Sequence, residues 1–154
     1  ILPGEFEPGG DAPRDFAGYQ QLEERLFATA AAEAAAWDGR DDGFFPYSRF
    51  NPGSNAQRLA GGAPYNRSFR LTPASPAGGA LLVHGLTDSP YSMKALAGSL
   101  HARGFEVTVL RLPGHGTLPA MLTRTTLEDW VAAVRLAALD VAGRQVLLLF
   151  LVGA

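Results

Sequence analysis

The chain is predicted to have an α/β fold with a mostly parallel sheet, because apolar runs of strand length alternate with helical segments in its second half. The runs cover residues 80–83, 105–110 and 145–152, and turn formers bound each of them. Short continuous apolar runs of this kind are typical of parallel strands that are buried on both faces. Helical segments separate the runs, so the pattern indicates βαβ units with right-handed crossovers.

Residues 1–67 carry weaker structural signals, and we expect them to form an N-terminal region before a core at residues 68–154. Residues 1–17 are rich in proline, glycine and acidic side chains, so a flexible arm is expected there. Alanine dominates residues 19–37, and its high helix propensity predicts a helix. Residues 38–67 lack periodicity and contain many turn formers, which predicts a long loop.

The predicted N-terminal helix has an apolar stripe at Leu22, Leu26 and Phe27. Such a stripe can be buried against the domain, or it can bind a membrane surface or a partner. The polar face of the helix is not basic, which favours packing against the domain over a role at a membrane.

The core is predicted to begin with a weak strand at residues 68–71, followed by the apolar run at residues 80–83. Ser89 can cap the next helix, and Pro90 then occupies the first helical position, where no backbone donor is missed. Gly104 follows the last turn as a stop signal. The apolar face of this helix follows the spacing i, i+3, i+4 and i+7 at Met93, Leu96, Ala97 and Leu100.

A capping box is predicted at the start of the second core helix, with Thr125 as the N-cap and Glu128 three residues later. Gly143 is expected to end this helix, and the strand at residues 145–152 follows it. One face of the helix is predicted to be buried, formed by Leu127, Trp130, Val131, Val134, Ala138 and Val141.

The composition excludes several classes of function. The formal net charge is −2 and no basic run occurs, so nothing favours a nucleic-acid partner. The chain has no cysteine, and its His, Asp and Glu residues lack metal-ligand spacing, so no disulfide or metal site is expected. The longest apolar run, residues 146–152, is much shorter than the roughly 20 residues that a membrane span needs. The cellular compartment stays open.

Three short motifs follow one another in the core: His84-Gly85-Leu86-Thr87 after the first apolar strand, Gly114-His115-Gly116 after the next, and Asp129-Trp130 in the second helix. In this order and spacing they resemble the α/β-hydrolase family, and in particular bacterial carboxylesterases and monoacylglycerol lipases. The resemblance covers roughly residues 68–154. It implies part of a three-layer α/β-hydrolase core, and a serine hydrolase that cleaves small carboxylic esters through an acyl-enzyme, without a cofactor.

The family places its nucleophile in the motif G-x-S-x-G, on a sharp turn between a strand and a helix. This sequence contains no such motif, but Gly153 and Ala154 match its first two positions directly after the third strand. The resemblance therefore implies a truncated core that ends just before the nucleophile elbow, with the acid and the histidine base further on. We expect this 154-residue polypeptide alone to be inactive.

The loop after the first apolar strand is the oxyanion loop in the resembling family. The resemblance assigns the backbone N–H of Leu86 as an oxyanion donor, and places the Leu86 side chain in the acyl pocket. Gly85 would allow close backbone approach and unusual dihedral angles. His84 and His115 are expected at the substrate site as residues that hold the loops, rather than as the catalytic base.

Two other interpretations stay open at this point. The same half-fold can serve as a non-catalytic binding or interaction module. Another α/β-hydrolase chemistry, such as thioester, peptide or lactone cleavage, would use the same elements, and fold alone does not decide among these.

Overall fold

A mixed four-stranded sheet lies at the centre of the protein. The computed structural model describes residues 4–38, 66–144 and 148–152. In chain order the elements are α1 (Phe16–Asp38), β1 (Phe69–Leu71), β2 (Gly78–Val83), α2 (Lys94–His101), β3 (Phe105–Leu110), α3 (Leu127–Gly143) and β4 (Leu148–Val152), with short 3₁₀ helices at Pro90–Met93 and Pro119–Arg124.

The strand order is β1-β3-β2-β4, and the pairing confirms a mostly parallel sheet. Strand β2 lies between β3 and β4 and is parallel to both, whereas β1 adds to β3 as a short antiparallel edge. In the register, Val83 pairs with Leu110 on one side and with Val152 on the other. The three parallel strands therefore end at the same edge of the sheet. The first residues of the predicted third strand, 145–147, lie outside the described residues.

Helices cover both faces of the sheet, as a three-layer fold requires. On β2, Leu81 and Val83 point into a core that they share with α1 and α3. The alternating residues Ala80 and Leu82 point to the opposite face, where they pack with Ala97 of α2. Because β2 is buried on both faces, it reads in the sequence as a continuous apolar run.

The N-terminal residues pack into the core, so the expectation of a flexible arm is wrong for residues 4–17. Phe6 and Phe16 are buried in the same cluster as Leu81. The ring of Phe6 meets that of Tyr19 edge to face, with 5.2 Å between the ring centroids. Helix α1 begins at Phe16, three residues earlier than predicted. The division of the chain at residue 67 stays a prediction, and most of the predicted loop lies outside the described residues.

Both predicted helix starts differ from the structure. The capping box of α3 is formed by Thr126 and Asp129, one residue later than the predicted pair of Thr125 and Glu128. An Asp at the third position of a helix closes the reciprocal bonds as Glu does, and the sequence offers both pairs. Ser89 and Pro90 do occupy the N-cap and the first position, but of a 3₁₀ turn that precedes α2 at Lys94, and the Ser89 side chain makes no cap bond.

The buried face of α3 is also rotated from the predicted one. Leu127 and Val131 are 65% and 58% exposed. Val141 is buried as predicted, and Ala133 and Ala137, which were not predicted, are buried with it. Small alanine side chains let the helix approach the sheet closely, which the apolar periodicity alone did not reveal. The remaining predicted members, Trp130, Val134 and Ala138, are partly buried against the core. On α2, Ala97 is buried as predicted, but Leu96 is 41% exposed.

Within the described ranges, no helix combines the length and the apolar character that a membrane crossing requires.

Candidate functional site

The loops that follow β2 and β3 meet at the shared edge of the sheet, and they bring together the two predicted histidines. His84 follows β2 directly, and His115 lies in the loop after β3. Their rings are 4.9 Å apart between centroids and meet edge to face. The carboxyl edge of a parallel sheet is where ligands bind in α/β folds, so this contact marks the candidate site.

His84 is a buried cross-link between the two loops. The backbone N–H of Leu112 donates to its Nε2 at 3.1 Å, so the ring proton must lie on Nδ1. From Nδ1 the ring donates to the carbonyl of Gly85 at 2.8 Å. Both ring nitrogens are occupied, and burial lowers the pKa of His84 from 6.5 to about 4. This geometry is that of a neutral structural histidine, in agreement with the sequence interpretation.

The bond from His84 also orients the predicted oxyanion donor. The carbonyl of Gly85 and the N–H of Leu86 belong to one planar peptide group, in which they point in opposite directions. That carbonyl accepts from His84 Nδ1 and from the Asp88 N–H at 3.1 Å. The direction of the Leu86 N–H is therefore fixed from the other side of the peptide.

We expect the stability of the folded protein to fall between pH 6.5 and 4 through His84. Its pKa is lowered on folding, so the unfolded chain binds a proton first and stability is lost as the pH decreases. The two pKa values correspond to about 3 kcal/mol of unfolding free energy when His84 titrates fully. The slope of urea-unfolding free energy against pH in this window should become shallower in His84→Gln. An unchanged slope would contradict the assignment.

His115 holds the Leu86 carbonyl. Its Nε2 lies 2.7 Å from that oxygen, and Nδ1 lies 3.1 Å from the carbonyl of Pro113. Both partners are carbonyl oxygens, and the shorter distance places a ring N–H on Nε2. The ring lies between His84 and Trp130, and Trp130 Nε1 donates to the Pro113 carbonyl at 3.0 Å.

Leu86 is exposed to solvent over 60% of its surface, and Thr87 beside it is exposed as well. Across the described part of the chain, no acceptor is bonded to its backbone N–H, while its carbonyl is held by His115. Next to it lies an open pocket of about 350 Å³, lined by Leu86, Thr87, Asp88, Ser89, Gly114, His115, Gly116, Thr117, Leu118 and Leu122. His84 and Gly85 lie behind this pocket, so their direct contact with a substrate stays a prediction.

The two glycines that flank His115 adopt backbone conformations that other residues rarely take. Gly114 has a φ of 79° and Gly116 a φ of 77°, whereas Gly85 has no positive φ. The unusual dihedral angles expected at Gly85 are thus found in the neighbouring loop. A Cβ at Gly114 would lie 2.8 Å from the Thr125 hydroxyl, and one at Gly116 would lie 3.1 Å from the carbonyl of Asn66.

Gly114→Ala is expected to destabilise the protein by about 2 kcal/mol, because a left-handed conformation and a close contact with Thr125 add together. Gly98→Ala is the matched control, since Gly98 lies within α2 and nothing is within 4 Å of its added Cβ. Alanine should stabilise that helix by about 0.5–1 kcal/mol. Urea unfolding compares the two variants, and equal effects would contradict this account of Gly114.

A buried charge cluster beneath the His115 loop was missed from the sequence. Arg111, fully buried, donates from Nε to Glu23 and through its terminal nitrogens to both carboxylate oxygens of Glu5, at 2.9–3.1 Å. The hydroxyl of Ser68 donates to Glu23 at 2.7 Å, which ties β1 to α1. The only signal in the sequence is an arginine directly after an apolar strand, since a buried arginine requires buried acidic partners.

Opposite charges and donors favour the charged forms of Glu5 and Arg111, whereas burial raises the pKa of Glu23 in spite of Arg111 and Ser68. Burial alone would raise the pKa of Glu5, but the attraction of Arg111 and the hydrogen bonds from Arg111, Phe6 and Gly114 hold it below 4.5. The neighbouring carboxylates and the Tyr19 phenol likewise raise the pKa of Arg111 despite its burial. The Tyr19 hydroxyl donates to the Arg111 carbonyl at 2.8 Å.

The predicted elbow residues Gly153 and Ala154 lie outside the described residues. The strand before them, β4, is parallel to β2 and ends at Val152, opposite Val83. Their role as the start of a nucleophile elbow stays a prediction.

Comparison with known proteins identifies lipolytic relatives. Over 56 residues, the sequence is 50% identical to the thermostable monoacylglycerol lipase of Bacillus sp. (strain H-257). These residues make up 36% of this chain and 22% of that lipase. A solved structure from the study of LipS and LipT, two metagenome-derived lipolytic enzymes, matches 58% of this chain with 32% identity and a TM-score of 0.54. No protein-family model matches the chain.

The chain matches about a fifth of the curated relative's length and about a third of the solved structure's. Over the matched part the two structures share a fold, and their sequences are 32% identical. Together with the parallel sheet and the three ordered motifs, these similarities show that the chain has part of an α/β-hydrolase fold and is similar to lipolytic enzymes.

Proposed function

We propose that this chain supplies the oxyanion-binding part of a serine hydrolase that cleaves carboxylic esters through an acyl-enzyme. The observation that carries the proposal is the backbone N–H of Leu86: Leu86 lines the pocket, no described acceptor is bonded to this N–H, and His84 holds the peptide that carries it. A donor of this kind stabilises the negative charge that develops on a carbonyl oxygen during acyl transfer. Similarity to lipolytic enzymes supports the choice of ester over other carbonyl substrates.

In the proposed reaction, a serine oxygen forms a bond to the ester carbonyl carbon while a histidine base takes the serine proton. The carbonyl oxygen becomes an oxyanion, which accepts a hydrogen bond from the Leu86 N–H. Collapse of this intermediate breaks the bond to the alcohol, which leaves with the proton from the base. Water then attacks the acyl-enzyme in the same way and releases the acid.

The described histidines at the site do not supply the base, because His84 and His115 use their ring nitrogens to hold backbone groups. We therefore propose that serine, acid and base come from residues beyond Ala154, with Gly153 and Ala154 opening the elbow. The apolar side chains of Leu86, Leu118 and Leu122 line the pocket and favour an acyl chain as the bound group. Monoacylglycerol is a candidate substrate, from the name of the similar lipase.

The proposal predicts a serine directly after Ala154 in the gene, with glycine two positions later. Sequencing the locus and expressing the full-length protein test this together. A fluorophosphonate probe should then label the peptide that contains Gly153 and Ala154, and p-nitrophenyl esters should be hydrolysed. The 154-residue polypeptide should show no turnover above a heat-treated control.

Other outcomes would contradict specific parts of the proposal. A stop codon after Ala154 would favour a non-catalytic module. Labelling at a different peptide would overturn the elbow assignment. Cleavage of thioesters, peptides or lactones in preference to esters would keep the site but change the substrate class.

A further inference from the structure

We propose that the N-terminal segment positions the oxyanion donor: Glu5 and Arg111 fix the backbone around His115, and His115 fixes the backbone of Leu86. The inference rests on the proposed function, because it assigns positioning residues to the same site. It gives a role to residues that the reaction itself does not use.

The first step is the hydrogen bonding of the charge cluster to the backbone of the His115 loop. The Gly114 N–H donates to Glu5 Oε2 at 2.9 Å, and Arg111 donates to the His115 carbonyl at 2.8 Å. Charged groups therefore hold backbone atoms on both sides of the His115 side chain. Hydrogen bonds to ionised groups are roughly twice as strong as neutral ones, so these contacts hold the loop backbone firmly in place.

The second step runs from His115 to Leu86. Ring contacts with His84 and Trp130 limit rotation of the His115 ring, and Nε2 then holds the Leu86 carbonyl at 2.7 Å. Because His84 fixes the peptide that carries the Leu86 N–H, both peptide groups that meet at Leu86 are held. A shift of the His115 loop would change the direction of that donor.

Glu5 is the part of this arrangement that comes from a remote stretch of chain. It lies ahead of α1 and contacts residues about a hundred positions later in the sequence. Its side chain is nearly fully buried, at 6% exposure, beside the fully buried Arg111. The carboxylate contributes nothing to the surface of the site pocket, so its effect on the reaction must pass through the His115 loop.

The test uses the full-length protein that contains this chain, with Glu5→Gln as the main variant. The neutral amide has one acceptor oxygen in place of two and carries no charge, so it cannot satisfy all the donors that meet Glu5. We therefore expect kcat to fall about 10- to 100-fold with KM changed by less than about threefold. Glu7→Gln removes an exposed acidic group two residues away and should leave kcat unchanged. Glu5→Asp keeps the charge and should recover part of the loss. All assays are run well below the melting temperature of each variant.

Hydrogen exchange measured by mass spectrometry provides a readout that does not depend on turnover. In Glu5→Gln, exchange should increase in peptides covering residues 112–117 and also in those covering residues 84–90. Faster exchange confined to residues 112–117, or unchanged kcat in an active enzyme, would overturn the inference. An inactive wild-type enzyme would refute the proposed function instead, and the exchange pattern would still decide whether Glu5 orders the Leu86 loop.

Discussion

Leu86→Pro in the full-length enzyme is expected to lower kcat by about two to three orders of magnitude, the scale of losing one oxyanion donor. Proline has no backbone N–H, so the substitution removes the proposed oxyanion donor. The carbonyl of Leu86 would remain available to His115. Steady-state kinetics with a p-nitrophenyl ester of fixed chain length measures the effect.

Leu86→Ala is the matched control, because it keeps the N–H and removes most of the exposed side chain. We expect this variant to retain most of its turnover and to change its preference among acyl chain lengths, since the side chain lines the pocket. Thermal melting of both variants separates a lost donor from a lost fold. A folded Leu86→Pro enzyme with full activity would exclude Leu86 as the oxyanion donor.

The sheet was predictable from the sequence because its strands are buried on both faces. Continuous apolar runs bounded by glycine or His-Gly located β2 and β3 to within a few residues. The parallel pairing followed from the helices between them, and the loops at the carboxyl edge followed from the ends of the strands. The pair of His84 and His115 could be placed at one site for the same reason.

Contacts that depend on long separations in sequence were not predictable in this way. The arm at residues 4–17 looks disordered by composition, and only the buried Arg111 explains why Glu5 is held. The buried face predicted for α3 was wrong because close packing against the sheet favours small alanine side chains, and the prediction counted large apolar residues instead. The capping box was displaced by one residue because consecutive threonines offer two equivalent pairs.

Arg111→Met is expected to destabilise the full-length protein by about 3–5 kcal/mol, because it leaves two buried carboxylates without their counter-charge. Arg144→Met is the matched control: Arg144 also forms ion pairs but is 44% exposed, so its loss should cost less than about 1 kcal/mol. Urea unfolding monitored by circular dichroism gives both values. Similar losses for the two variants would contradict the assignment of a buried cluster at Arg111.

The pH dependence of this loss identifies its cause. In the wild-type protein the pKa of Glu5 is lowered, so its contribution to stability is present above pH 4.5 and is lost as the pH falls. Without Arg111, burial dominates and favours the protonated acid, so the variant should lose stability as the pH rises. The difference in unfolding free energy between the two proteins should therefore be larger at pH 8 than at pH 5.

Adding Glu5→Gln and Glu23→Gln to Arg111→Met should recover most of the loss, because the buried charges are then removed together. A loss that is independent of pH and persists in the triple variant would mean that the arginine acts through packing rather than charge.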